Sequence, residues 1–182
     1  LNQLDELKLA DNTLVIFLSD NGGPTKELTS SNLPLRGGKG QMYEGGLRVP
    51  FMMRWPSKLS KGDVYQHPIS SLDILPTALA AAGGEQPKRA MDGVDLMPFL
   101  SGQKAGRPQR QFYWRQGKRT AFRDGDWKLV GGHSEAWELY NLAKDFTESK
   151  DLASAEPDRL ARMIDDWKSL DREMAEPLFG KR

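Results

Sequence analysis

A chain of 182 residues holds one domain, or part of one plus a small second unit. Its formal charge of +1 gives no global pull toward nucleic acid or an anionic membrane, and no apolar run is long enough to span a bilayer. The absence of cysteine excludes disulfides and thiolate metal sites. Leu1, Leu4 and Leu7 recur at helical spacing and predict the end of an amphipathic helix, broken at Asp11-Asn12. The apolar run Leu14-Val15-Ile16-Phe17-Leu18 predicts a strand buried on both faces, ending at Ser19-Asp20-Asn21-Gly22-Gly23. Helix followed by strand is the rhythm of a doubly wound α/β sheet. From Gly22 to Gly46 the chain reads as a long glycine-rich loop. Val49 to Trp55 predicts a second strand, with Pro50 near its start where proline is tolerated.

Ser71 is placed to cap a helix running through Ala82, with Gly83-Gly84 as the stop. Gly84 to Pro108 reads as loop with a short apolar piece at Leu96–Leu100. The domain boundary falls there, giving an α/β portion over 1–107 and a smaller α+β subdomain over 108–182. Phe112–Arg115, Arg119–Arg123, Trp127–Val130 and Trp137–Leu142 predict antiparallel strands, with Asp124-Gly125-Asp126 as a hairpin turn. Leu160, Met163, Ile164, Trp167 and Leu170 define one face of a closing helix, with Pro157 in its first turn and Ser154 or Asp151 near its start.

Asp20 and Asn21 stand just past the carboxyl end of the first strand, where ligands bind in open α/β sheets. Two adjacent side-chain oxygens there suit a hard cation; the same residue types also favour a plain turn. Lys39 lies among Gly37, Gly38 and Gly40 and offers a compact ammonium to an anion such as sulfate. A solvated lysine on a loop is the other reading. A P-loop is excluded, because neither Ser nor Thr follows Lys39. Arg36 could reach an anion by its planar fork; the favoured reading has Arg36, Glu44 and Arg48 bracing the loop by mutual pairing. His67 and His133 read as exposed or structural. The tryptophans at 114, 127, 137 and 167 read as core. Arg107, Arg110, Arg115, Lys118 and Arg119 form a solvated edge or, alternatively, help bind an anionic substrate.

Five segments taken together carry a resemblance. They are Asp11–Gly23, ending in SDNGG; Leu35–Pro50, LRGGKGQMYEGGLRVP; Ser71–Thr77, SLDILPT; Asp92–Leu96, DGVDL; and Trp137–Leu142, WELYNL. In this order and spacing the chain resembles the sulfatase family of the alkaline-phosphatase-like superfamily. The resemblance implies the C-terminal part of a sulfatase α/β domain followed by a small α+β subdomain with an antiparallel sheet and one C-terminal helix. It implies hydrolysis of a sulfate ester, on a sulfated small molecule or sulfated carbohydrate. It assigns a divalent cation, usually calcium, to Asp20 and Asn21. Lys39 becomes both the sulfate-contacting and the catalytic lysine.

The family's C/S-x-P-S-R motif, source of its formylglycine nucleophile, is not in this sequence, nor are its first acidic metal ligands and active-site histidines. The resemblance therefore implies an absent N-terminal half as partner, and a chain that by itself does not turn over substrate. A non-catalytic portion that completes another chain, and a related phosphoester or phosphonate hydrolase, are the alternatives.

Overall fold

The computed structural model describes residues 1–25, 30–85, 87–108, 111–132, 134 and 136–176. In chain order the elements are α1 (Asn2–Glu6), β1 (Val15–Leu18), α2 (Glu44–Leu47), β2 (Phe51–Arg54), α3 (Ile74–Ala81), α4 (Met97–Leu100), β3 (Gln111–Gln116), β4 (Arg119–Asp124), β5 (Trp127–Gly131), β6 (Glu138–Asn141) and α5 (Pro157–Glu173). They fall into two compact units, Leu1–Phe17 with Phe51–Gln109, and Leu18–Pro50 with Arg110–Arg182. No helix among the described residues is long and apolar enough to cross a membrane.

In the first unit β1 pairs with β2. The strand expected to be buried on both faces is only half covered: Phe17 is 60% exposed, and Met52 on β2 is 56% exposed. The reason is local. Among the described residues β2 is the one strand beside β1, so the apolar run lacks the neighbours its composition suits. The helix expected from Ser71 starts one residue earlier. Ser70 caps a 3₁₀ turn over Ser71–Asp73 that runs into α3, and Asp73 returns a bond to the Ser70 N–H at 2.8 Å. Asp73 also accepts the Val94 N–H at 2.9 Å, and Thr77 Oγ1 accepts the Leu96 N–H at 3.0 Å. The SLDILPT and DGVDL segments are thus each other's hydrogen-bond partners, and Asp73 and Thr77 are fully buried in that role.

The second unit is built on a four-stranded antiparallel sheet in the order β3-β4-β5-β6. Two-residue loops, Gly117-Lys118 and Gly125-Asp126, join β3 to β4 and β4 to β5, each opening on a glycine with positive φ. Register aligns Phe122, Leu129 and Leu139 across three strands. With Met163 they form a core that takes in Trp127, Trp137, Leu160, Ile164, Trp167 and Leu170, so α5 covers this face as its apolar spacing required. No side chain caps α5; Asp151 instead accepts the Leu139 and Ala153 N–H groups. The opposite face holds Ala121, Val130, Tyr140 and Leu142, and is covered by Met42, Tyr43 and Leu47. The sheet therefore has two covers, a helix and the end of the glycine-rich loop. His133 and Arg110 lie outside the described residues.

Candidate functional site

The glycine-rich segment folds back on itself with backbone packed directly on backbone. Past β1, the Ser19 N–H donates to the Pro50 carbonyl at 3.2 Å and Ser19 Oγ to the Asn21 carbonyl at 2.8 Å. The Gly22 N–H donates to the Gly46 carbonyl at 3.0 Å, and the Gly45 N–H to the Arg36 carbonyl at 2.7 Å. A Cβ on Gly22 would stand 1.8 Å from the Gly45 oxygen, and one on Gly46 would stand 2.1 Å from the Gln41 oxygen. Glycine is required at both places by this close approach.

The two predicted segments are joined here. The Lys39 N–H donates to the Gly23 carbonyl at 3.2 Å. Asn32 spans the same junction: Oδ1 accepts the Gly23 N–H at 2.8 Å, and Nδ2 donates to the Gly23 and Gly37 carbonyls at 2.9 and 3.0 Å. The Gly38 N–H donates to Gln41 Oε1 at 3.0 Å, and Arg119 Nη1 donates to the Gly40 carbonyl at 2.7 Å. The peptides on both sides of Lys39 are thereby held. Asp20 and Lys39 are exposed and Asn21 is half-buried. Among the described residues, the side chains of these three form no hydrogen bond or ion pair, so their oxygens and ammonium remain available to a ligand. No group of three or more His, Asp or Glu side chains among the described residues is placed to hold a metal ion.

Two of the loop charges, Arg36 and Glu44, brace the segment, although not by pairing with each other. Arg36 Nη1 donates to Tyr140 Oη at 2.6 Å and to the Glu148 carbonyl at 3.2 Å, and lies 3.2 Å from Glu138 Oε2. Its guanidinium lies 3.8 Å from the centre of the Tyr43 ring. Tyr43 Oη donates to Glu138 Oε1 at 2.8 Å, and Tyr140 Oη donates to Glu138 Oε2. Burial, with these bonds to Glu138, pushes both phenols well above the usual tyrosine range. Glu44 pairs with Lys128 Nζ at 2.8 Å, and Lys128 lies 2.8 Å from Glu148 Oε1 as well, an ion pair without hydrogen-bond alignment. Glu148 Oε2 accepts the Glu44 N–H at 2.6 Å. All three side chains are buried, and burial pushes the Glu148 carboxyl up against the opposing pull of Lys128.

The residues missed from sequence were Asn32, Lys128, Glu138 and Glu148. Asn32 sits between the two recognised segments, but no spacing rule marks one amide in Ser30-Ser31-Asn32 as the partner of Gly23 and Gly37. Part of the basic edge is structural: Arg115 Nη1 meets Asp171 at 2.6 Å and ties β3 to α5. His67 lies edge-on to Tyr65 in the first unit.

Comparison with known proteins returns sulfatases and, among the solved structures, also a phosphonate monoester hydrolase of Agrobacterium radiobacter. The sulfatase family model matches residues 1–84. The chain is 48% identical over 117 residues to the steryl-sulfatase of Mus musculus, covering 60% of this chain and 19% of that protein. It is 35% identical over 156 residues to the N-acetylgalactosamine-6-sulfatase of Sus scrofa, covering 82% of this chain and 30% of that protein. The crystal structure of Ps i-CgsB in complex with k-i-k-neocarrahexaose superposes with a TM-score of 0.87 at 28% identity, over 100% of this chain and 41% of that one. The chain thus spans 19% and 30% of the length of the two sequence relatives.

Proposed function

We propose, from the premise that the chain belongs to the sulfatase family, that it forms the later portion of a sulfate-ester hydrolase to which it contributes Asp20, Asn21 and Lys39. The observation that carries this reading is the joined platform of Gly22–Gly23 and Gly37–Lys39, with three polar side chains left uncommitted beside it. The substrate is a sulfated small molecule or a sulfated carbohydrate, the two kinds of compound for which the relatives are named.

Asp20 and Asn21 fit a calcium ion by donor type, a carboxylate and an amide oxygen. They fill only part of the roughly six to eight positions calcium takes, so the remaining ligands come from outside this chain. The bound cation would neutralise sulfate oxygens and activate the nucleophile, a formylglycine assigned to the portion beyond this chain. Lys39 Nζ donates to the sulfate oxygens. As the bond to the departing alcohol breaks, charge grows on the leaving oxygen, and an ammonium already in place stabilises it without reorganising. The bonds to the Gly37 and Gly40 carbonyls hold the backbone on either side of Lys39, and contact with the sulfate oxygens orders its side chain. Exposed apolar side chains on the first unit, among them Phe17, Met52, Leu72 and Leu75, support docking against the remainder of the catalytic domain.

The test uses the complete protein on an aryl sulfate, with the matching phosphonate ester as comparison. Asp20→Ala should remove turnover and calcium binding while leaving the unfolding temperature measured without calcium unchanged. Lys39→Ala should lower kcat/KM at least about tenfold, the equivalent of roughly 1.4 kcal/mol of transition-state stabilisation. An active Asp20→Ala enzyme of unchanged metal content overturns the cation assignment; faster turnover of the phosphonate ester overturns the sulfatase reading.

A further inference from the structure

Asn32 has every side-chain hydrogen-bonding direction that matters committed to backbone, and the groups it meets belong to the two segments that carry the candidate site. Its Oδ1 faces an N–H and its Nδ2 faces two carbonyls. That arrangement accepts an amide and rejects its near neighbours. Aspartate would set a carboxylate oxygen against two carbonyl oxygens, and leucine would leave all three backbone groups without this partner. The surroundings are shaped to it as well. A Cβ on Gly23 would lie 3.1 Å from Asn32 Oδ1, and one on Gly38 would lie 2.9 Å from Asn32 Nδ2. Both glycines leave room that the amide fills.

The contacts fall at informative positions. Gly23 is two residues past Asn21, and Gly37 is two residues before Lys39. The Gly23 carbonyl accepts from Asn32 Nδ2 and from the Lys39 N–H together. A shift of the amide therefore moves the turn carrying Asp20 and Asn21, and the peptide carrying Lys39, at once. We infer that Asn32 is a positioning residue for the reaction: its amide sets the cation-binding turn and the sulfate-binding lysine at a fixed separation. The inference rests on the roles proposed for Asp20, Asn21 and Lys39, and adds a residue that touches neither cation nor substrate.

The test compares Asn32→Ala and Asn32→Asp with the unmodified complete enzyme. Asn32→Asp keeps the size and the oxygen that receives the Gly23 N–H, so it serves should Asn32→Ala fail to fold. Calorimetry with calcium alone, in the absence of substrate, separates positioning from simple loss of folded protein. A purely structural defect lowers the number of binding sites and leaves their Kd untouched. A displaced turn weakens the Kd itself, and a threefold or larger weakening is expected in both variants. Turnover of an aryl sulfate per calcium-binding site should fall at least about tenfold, within the range that small misplacements of reacting groups produce. Deuterium uptake by the 37–41 peptide in calcium-free protein should accelerate, because the Lys39 N–H loses its fixed acceptor. Variants with unaltered calcium Kd and unaltered turnover per site overturn the inference. Should Lys39→Ala and Asp20→Ala retain full activity, the roles assigned to those residues fail first, and the exchange result alone then judges whether Asn32 joins the two segments.

Discussion

Replacing Lys128 by Met tests whether the loop carrying Lys39 is anchored by a buried charge cluster. Lys128 and Glu148 are 0% and 1% exposed and Glu44 is 5% exposed, with Lys128 Nζ 2.8 Å from a carboxylate oxygen of each acid. Methionine keeps most of the volume and removes the one cation. Two carboxylates then share a buried space without a counter-charge. Breaking a buried ion pair on one side costs about 3–5 kcal/mol, a large part of a typical stability of about 5–15 kcal/mol. At about 2–4 °C per kcal/mol for a protein of this size, the unfolding temperature should fall by roughly 6–20 °C.

The loss carries a pH signature. Glu148 already has its carboxyl raised by burial, and loss of Lys128 removes the pull opposing that rise. An acid whose folded pKa lies above its unfolded value binds more protons when folded. Stability then falls as pH climbs from the unfolded value, about 4.3, through the folded one. The deficit relative to the unmodified protein should be largest at pH 7–8 and shrink toward pH 5. Adding Glu148→Gln to Lys128→Met should recover part of it, because an amide oxygen still accepts the Glu44 N–H without a buried charge. Thermal unfolding followed by tryptophan fluorescence between pH 5 and 8 reads all three. A deficit below about 1 kcal/mol, or one independent of pH, refutes the anchoring argument.

Gly46→Ala should destabilise by at least about 2 kcal/mol and lower aryl sulfate turnover, because its Cβ would meet the Gln41 and Gly38 oxygens at 2.1 and 2.6 Å and push the Lys39 loop aside; a urea midpoint and kcat/KM equal to the unmodified protein's would contradict this. Leu139→Ala removes a fully buried side chain from the core beneath α5 and should cost about 2–5 kcal/mol in urea unfolding, with calcium Kd unchanged because the site lies on the opposite cover of the sheet.

Much of the second unit was legible from local pattern. The Asp124-Gly125-Asp126 turn between two strand candidates placed β4 and β5, and apolar spacing from Leu160 to Leu170 identified the face of α5 that meets the sheet. These signals depend on neighbours two to four residues apart, which a single chain displays openly. At β1 the unbroken apolar run asks for cover on both sides, and Phe17 stays exposed because among the described residues β2 alone lies beside the strand.

Sequence by itself determined the family, the strands and helix of the second unit, and the three candidate side chains, Asp20, Asn21 and Lys39. It did so through ordered segments and local periodicity. Tertiary structure alone decided how the backbone that carries them is held. Glu44 meets Lys128 across 84 positions, and Arg36 meets Glu138 across 102, and at that separation a charge in sequence has many possible partners. Arg36, Glu44 and Arg48 looked like partners of one another because they are close in sequence. Folding the loop onto the sheet brought Arg36 and Glu44 instead to partners on β5, on β6 and just beyond it. Asn32 likewise acquired its meaning only when Gly23 and Gly37 came within reach of one amide, since a hydrogen bond is read from geometry in space and leaves no period along the chain.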